Sequence, residues 1–214
     1  MKRILVTIIT AVVTLTGIAQ QTNTLSQADK DGLLFMQEEE KLARDVYDSM
    51  YSQWGLMPFG NIRQSERVHL DWANKLIGKY ELIVSAVPAE DRPGGFRNKL
   101  LQQFYKELIR SGSKSTTGGL QAGALIEEAD IADLDQRMAQ TTKEDILAAY
   151  QYLKTGSENH LRAFVRNLRM RGVEYIPVKL DKNRFDSIIS GANRNSGCGK
   201  GGANCRGITG QNCN

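Results

Sequence analysis

The sequence predicts an all-α protein, a bundle of four long helices with a short extra helix in one long crossover connection. Between Leu25 and Gly172 the chain has only three prolines and few β-branched runs. Its amphipathic stretches repeat their apolar residues with the 3.6-residue period of an α-helix. Strands are hard to place in this stretch, so helix-on-helix packing is the expected architecture.

The predicted helices are separated by breaks rich in glycine and proline. "GLMPFG" and "VPAEDRPGG" follow the first and second long helices, and Gly112 ends the short helix "FRNKLLQQFYKELIRSG". Thr141-x-x-Glu144 predicts a capping box that opens the fourth long helix, which Gly172 ends. The long helices are expected at about 29 to 51 or 54, 59 to 80, 117 to 138 and 141 to 171, followed by a return segment at 173–190 that packs on the bundle.

The first 19 residues are typical of a secretory signal peptide. They have a basic start, a short apolar run, and small residues at Gly17 and Ala19 where a peptidase could cut. An uncleaved anchor is the alternative, but the apolar run is short for a membrane span. We therefore expect a secreted or periplasmic protein without a stable membrane span, with a linker at 20–30, a helical domain at 31–190 and a tail at 191–214.

The tail is rich in glycine and asparagine and holds all three cysteines, Cys198, Cys205 and Cys213. Such a composition buries too little apolar surface to fold alone. In an oxidising compartment two of the three cysteines are expected to form a disulfide. The alternative is that the tail is the active part, as a thiol metal scavenger or a tether.

The charge balance argues against a nucleic-acid partner. The 214 residues carry a formal net charge of +4, with 28 basic side chains interspersed among 24 acidic ones. No basic block alternates with aromatic residues, as nucleic-acid binding would favour.

Each long helix carries polar residues with metal-binding capacity on its apolar side, at about 100° of rotation per residue. These residues are Glu39, Glu66, His69, Glu127 and His160, with Asp130 toward the edge of its face. Because a carboxylate buried alone costs several kcal/mol or shifts its pKa toward neutrality, three of them together call for a cation. Carboxylates with imidazoles suit iron or manganese. The neighbouring acids Glu38, Glu40, Glu128 and Glu158 are expected nearer to solvent.

Four motifs in order, "MQEEEKLARDVYDSMYSQWG", "FGNIRQSERVHLDW", "GALIEEADIADL" and "GSENHLRAF", resemble the ferritin-like superfamily. The resemblance covers about residues 33–171 and is closest to a family of uncharacterised, often secreted, bacterial and archaeal domains. In the superfamily two helices each give a glutamate and two give Glu-x-x-His. The resemblance implies a site for one or two iron or manganese ions and oxidation by dioxygen or peroxide. Assembly into an oligomer is also compatible with this resemblance.

One position departs from the superfamily pattern. Ser157 stands three residues before His160, where the resemblance implies a glutamate. Serine is a poor ligand for a hard cation, so Asp130, or Glu158 if the helix is distorted around Gly156, is the candidate replacement. One ion or an asymmetric pair would fit this set. The alternative function is a non-catalytic binding or structural module, in which acids and histidines form a hydrogen-bonded polar core.

Overall fold

The computed structural model describes residues 24–84 and 92–191, whose regular structure is entirely helical. The helices are α1 (Gln27–Trp54), α2 (Met57–Lys79), α3 (Lys99–Gly112), α4 (Thr116–Met138), α5 (Glu144–Arg169) and α6 (Lys182–Ser190). The all-α prediction is confirmed. No helix in the described ranges is long and apolar enough to cross a membrane. The predicted signal peptide and the tail cysteines lie outside these ranges and stay predictions.

The first helix begins earlier than expected. Ser26 caps α1 in a capping box, in which its hydroxyl accepts from the Asp29 backbone N–H and the Asp29 carboxylate accepts from the Ser26 N–H. The helix therefore extends into the stretch predicted as a linker. It ends where Gly55 adopts φ 64°, a left-handed conformation that glycine takes without a steric cost.

The capping box predicted at Thr141-x-x-Glu144 is wrong. Lys143 is the N-cap residue of α5, and Glu144 is its first helical residue. The Thr141 hydroxyl instead accepts from the Lys143 backbone N–H at 3.2 Å, in a turn that precedes the helix. Because Thr141 also bonds the side chain of Asp29 on α1, it is committed to a tertiary contact.

The four long helices contact one another in a closed cycle, in which α1 packs on α2 and α4, and α5 packs on α2 and α4. Their interior holds two apolar clusters, one around Tyr47, Phe59 and Phe164 and the other around Met36 and Tyr150. Each helix passes from one cluster to the other, and its buried polar residues fall between them. The fold therefore places a polar layer at one level of all four long helices.

The crossover helix α3 packs against α1 and α4. Glu38 anchors its start, because its carboxylate accepts from the backbone N–H groups of Arg97 and Asn98 at 2.6 and 2.8 Å. Asp45, two helical turns after Glu38 on α1, accepts a hydrogen bond from the Gly94 backbone N–H. The expectation that Glu38 lies near solvent is therefore wrong, since the crossover covers that side of α1.

Glu128 was also expected to face outward, and it is fully buried. One of its carboxylate oxygens accepts from the backbone N–H groups of Val178, Lys179 and Leu180 at 2.9, 2.7 and 3.0 Å. These bonds hold the segment between α5 and α6 against α4. The expected return segment thus packs on the helices, held by the Glu128 carboxylate. Helical periodicity alone had predicted that this carboxylate faces solvent.

Replacing Glu128 by alanine is expected to lower the free energy of unfolding by about 2–3 kcal/mol, because three backbone donors lose a charged acceptor. Chemical denaturation of Glu128→Ala beside Asp186→Ala, an exposed acid on α6, measures this effect. Ion binding should be equal in both variants. A loss of ion binding in Glu128→Ala alone would mean that this carboxylate serves more than the return segment.

Candidate metal centre

The six predicted ligand residues all lie inside the polar layer. Glu66, Glu127 and Asp130 are fully buried, and His69 and Glu39 are 1% and 2% exposed. His160, at 8%, is the most exposed of the six. Burial alone does not make them one site, because the distances among their ligand atoms divide them into two sets.

Glu66 is the centre of the arrangement. Its Oε1 lies 2.8 Å from Nδ1 of His160 on α5, and its Oε2 lies 2.9 Å from Nδ1 of His69 on its own helix. The two imidazole rings are stacked, with centroids 5.5 Å apart. One carboxylate therefore faces two histidines, one with each oxygen.

Two groups of ligand atoms share Glu66. One consists of Glu40, Glu66 and His69, and the other of Glu66, Glu127 and His160, with the atoms of each group within 4.8 Å of one another. The His69 Nδ1 is 3.2 Å from Glu40 Oε2, and the His160 Nδ1 is 3.5 Å from Glu127 Oε2. We call these five residues the candidate metal centre.

Several polar atoms of the centre lack the hydrogen bonds that buried polar groups normally make. Both oxygens of Glu66, Oε2 of Glu127 and Nδ1 of His160 have no hydrogen-bond partner among the described residues. They lie instead in ion-pair contact, Glu66 with both histidines and His160 also with Glu127. Atoms that converge in this way have an arrangement that could hold an ion.

Glu40 is the ligand residue that the periodicity missed. It was expected about 100° from the apolar centre of its helix, but it is fully buried and bonds His69 at 3.2 Å. The cause is the number of neighbours, since α1 contacts α2, α3 and α4 and so has little surface left for solvent. The unbroken run Glu38 to Glu40 was the available signal, because three consecutive acids on a surrounded helix cannot all reach water.

Glu39 and Asp130 are buried but lie outside both ligand groups. Burial raises the pKa of Glu39 well above its ordinary value, and the neighbouring Asp133 raises it further. Burial, followed by the charges of Glu39 and Glu40, does the same to the pKa of Asp130. Neither Asp130 oxygen has a partner among the described groups. Both residues are therefore acidic neighbours of the centre.

The charges of the metal-free centre concentrate on Glu66 and the histidines. Burial alone would raise the pKa of Glu66, but His160 and His69 outweigh it and hold that pKa far below its ordinary value. Burial would lower the pKa of His160, but Glu66 and Glu127 raise it to about 9. Burial raises the pKa of Glu40 to about 7 against the opposing charge of His69. Without an ion, protons on the imidazoles balance the carboxylates.

Tyr47 positions the second carboxylate of the centre. Its hydroxyl donates to Glu127 Oε1 at 2.6 Å, and the side chain is fully buried. The ring packs against Phe59 and Phe164, with centroids 6.1 and 5.3 Å away. This bond occupies one Glu127 oxygen and leaves Oε2 directed at His160, as a supporting residue does for a ligand.

Gly156 on α5 makes room for His69. A Cβ at this position would lie 2.5 Å from the His69 ring, so α5 can approach the imidazole only without a side chain there. The next residue, Ser157, is fully buried, and its hydroxyl donates to the Leu153 carbonyl at 3.2 Å. The Ser157 hydroxyl, at the position that departs from the superfamily pattern, is thus hydrogen-bonded to the backbone of its own helix.

Replacing Gly156 by alanine is expected to displace His69 and to weaken ion binding at the Glu40, Glu66 and His69 group. Overpacking of this kind costs about 1–3 kcal/mol of stability. Gly78→Ala is the matched control, because it is a helical glycine whose added Cβ meets no atom within 4 Å. That change should raise the free energy of unfolding by up to about 1 kcal/mol and leave ion binding intact. Titration calorimetry and denaturation of both variants measure the two effects, and equal ion binding would contradict the role of Gly156.

The donor set fits a divalent transition-metal ion. It combines three carboxylates with two imidazoles in a buried layer, and those are ligands that iron and manganese accept. The described residues contain no cysteine, so a thiolate site of the structural zinc type has no ligands in this part of the chain. Glu66 contributes an oxygen to each of the two ligand groups, and Gly156 lets the His69 ring of one group lie against α5.

Comparison with known proteins identifies a family and a relative of this chain. The model of the family described as "Uncharacterized protein domain (DUF2202)" matches residues 29–192. The uncharacterized protein MJ0754 of Methanocaldococcus jannaschii is 43% identical over 166 residues, which cover 78% of this chain and 89% of that protein. The crystal structure of hypothetical protein MJ0754 from Methanococcus jannaschii DSM 2661 is similar with a TM-score of 0.76 at 42% identity, covering 80% of this chain and 97% of that one. The match of residues 29–192 includes the whole candidate metal centre, and the chain belongs to the DUF2202 family of uncharacterized protein domains.

Proposed function

We propose that this chain is an exported ferritin-like four-helix-bundle protein that binds two iron or manganese ions in its polar layer and uses them in oxidation. The reaction is the oxidation of Fe(II) by dioxygen or peroxide, or the removal of peroxide. The observation that carries the proposal is Glu66, whose two buried oxygens face two different histidines at 2.8 and 2.9 Å. Glu66 would therefore give a carboxylate oxygen to each of the two ligand groups.

The residues divide the work of holding the ions between the two ligand groups. Glu40 and His69 would hold one ion, Glu127 and His160 would hold the other, and Glu66 belongs to both groups. When bound, iron or manganese supplies one-electron redox chemistry toward dioxygen or peroxide. The protein residues neutralise the ions, hold them apart from bulk water and fix their ligands before binding.

Charge counting gives Asp130 a part in the same proposal. Three carboxylates offset three of the four positive charges of two divalent ions, and two neutral imidazoles add none. Asp130 lies one helical turn after Glu127, is fully buried and has both oxygens unpartnered among the described residues. It supplies the fourth negative charge in place of the glutamate that Ser157 does not provide.

Metal analysis of the full chain, produced with Fe(II) or Mn(II) under anaerobic conditions, tests the proposal. About two ions per chain are expected by elemental analysis after removal of free metal. One ion per chain would contradict the two-ion arrangement and keep a mononuclear site. No bound ion, together with an unchanged melting temperature, would exclude metal binding in the polar layer.

The second candidate function is a binding or structural module without catalysis. Ser157 favours it, because its hydroxyl bonds the Leu153 carbonyl at 3.2 Å and leaves α5 without a carboxylate at that position. In such a module the acids and histidines form only a polar core. The double variant Glu66→Gln with His69→Gln would then change stability while leaving function intact. Under the metal proposal it removes metal uptake.

Export is tested separately from chemistry. Expression of the full chain in a bacterial host, followed by fractionation and N-terminal sequencing, should recover a mature protein beginning near residue 20. Recovery of the uncleaved chain from the membrane fraction would favour the anchor alternative.

A further inference from the structure

A line of aromatic rings leads from the candidate metal centre to the protein surface. The His69 ring contacts the Tyr152 ring edge-on, with centroids 5.8 Å apart and an interplanar angle of 80°. The Tyr152 ring contacts Trp72, with centroids 5.6 Å apart. His69 is 1% exposed and Trp72 is 40% exposed, so two ring-to-ring steps connect the buried layer to solvent.

The sequences of α2 and α5 place the three rings next to one another. On α2, Trp72 follows His69 by three residues and lies on the same side of the helix. On α5, Tyr152 precedes Gly156 by four residues, and Gly156 is where the His69 ring touches the helix backbone. The close approach of α2 and α5 therefore brings all three rings together.

The composition of the line suits the transfer of single electrons. Tyrosine and tryptophan are the aromatic side chains that lose an electron most readily, whereas phenylalanine does so only under much harsher conditions. Tyr47 also touches the centre, but its ring neighbours are Phe59 and Phe164. The route through Tyr152 and Trp72 therefore reaches the surface through oxidisable rings, whereas Tyr47 contacts two phenylalanines.

We propose that Tyr152 and Trp72 carry electrons one at a time between the candidate metal centre and the surface, where an external one-electron reductant supplies them. This inference rests on the proposed function for its physiological use, since dioxygen or peroxide is the oxidant that withdraws electrons at the centre. It assigns a direction of electron flow, from the surface inward, and a surface residue, Trp72, where the reductant is oxidised.

The steps balance in electrons and protons. Tyr152 gives one electron to the oxidised centre, and its phenolic proton passes to solvent water. Trp72 then returns one electron to the Tyr152 radical, which takes back a proton from water. The external reductant gives one electron to the Trp72 radical cation. In sum the reductant loses one electron, the centre gains one, and both rings are restored.

The test uses the metal-free full chain, so that it does not depend on the proposed function. In a Trp54→Phe background Trp72 is the remaining tryptophan, because the sequence holds only two. A photosensitiser flashed in the presence of an electron acceptor oxidises the exposed indole, and transient absorption follows its radical. We expect the Trp72 radical to decay as a tyrosyl radical appears, and to live several-fold longer in Tyr152→Phe. This step runs opposite to the proposed flow, so it tests electron transfer across the Tyr152–Trp72 contact, and the peroxide experiment below tests its direction.

Tyr105→Phe is the matched control, because Tyr105 is also half-buried and packs on Phe96 away from Trp72. It should leave the lifetime of the Trp72 radical unchanged. Equal lifetimes in the parent, Tyr152→Phe and Tyr105→Phe proteins would overturn the route. Circular dichroism of each variant confirms that the helices are retained.

A second measurement separates this route from the metal proposal. Tyr152→Phe and Trp72→Phe should bind as many ions as the parent chain by elemental analysis. After peroxide treatment of the iron-loaded chain, peptide mass spectrometry should find oxidation at Trp72 that is several-fold lower in Tyr152→Phe. Full metal binding with unchanged oxidation at Trp72 would reject the route alone. Absent metal binding with a normal flash result would reject the proposed function alone.

Discussion

Replacing Glu66 by glutamine is expected to abolish ion binding in both halves of the candidate metal centre. Each Glu66 oxygen lies within 2.9 Å of a different histidine, so one substitution weakens two ligand groups at once. Loss of a supporting partner alone typically costs about 10- to 100-fold in metal affinity, and loss of a shared ligand should cost at least about 100-fold. Glutamine keeps the volume of the side chain and removes its charge.

Glu107→Gln is the matched control for this experiment. Glu107 lies exposed on α3, where it accepts a hydrogen bond from Gln103 and touches no residue of the polar layer. Anaerobic titration with Fe(II) or Mn(II), followed by elemental analysis, should give the parent stoichiometry for Glu107→Gln and close to none for Glu66→Gln. Normal uptake by Glu66→Gln would contradict a shared carboxylate and place any bound ion elsewhere.

The helical parts of the fold could be predicted because they depend on local periodicity. The apolar repeat sets helix length, Gly55 lies between α1 and α2 as expected, and Gly112 is the last residue of α3. The capping box at Thr141 failed for a tertiary reason. Its hydroxyl is held by Lys143 and by Asp29 on α1, and no local pattern contains that contact.

The candidate metal centre was only partly predictable for a related reason. Helical periodicity identifies one apolar face per helix, and it placed Glu66, His69, Glu127 and His160 in the interior correctly. It assumes that the opposite face meets water. For Glu38 and Glu128 that assumption fails, because the crossover and the return segment cover sides of α1 and α4 that a simple bundle leaves open. Glu40 is buried on another side of α1, where it faces His69 of α2.

Loading the centre with ions is expected to stabilise the fold strongly, because the polar layer holds more acids than bases. Glu39, Glu40, Glu66, Glu127 and Asp130 are buried there with His69 and His160. Lys41, the buried base next to Glu40, is paired with Asp45. Burial raises the pKa of four of these five acids, because the dry layer solvates their charged forms poorly. Two divalent ions would reverse that imbalance.

At an ion concentration about 1,000 times the dissociation constant, binding of one ion to the folded state alone adds about 4 kcal/mol to the free energy of unfolding. For a chain of this size that corresponds to a rise of about 8–16 °C in melting temperature. Scanning calorimetry with and without Mn(II) should show this rise in the parent and in Glu107→Gln, and little or none in Glu66→Gln. An equal rise in Glu66→Gln would mean that the ions act outside the polar layer, because the charge imbalance is relieved only by ions held at Glu66.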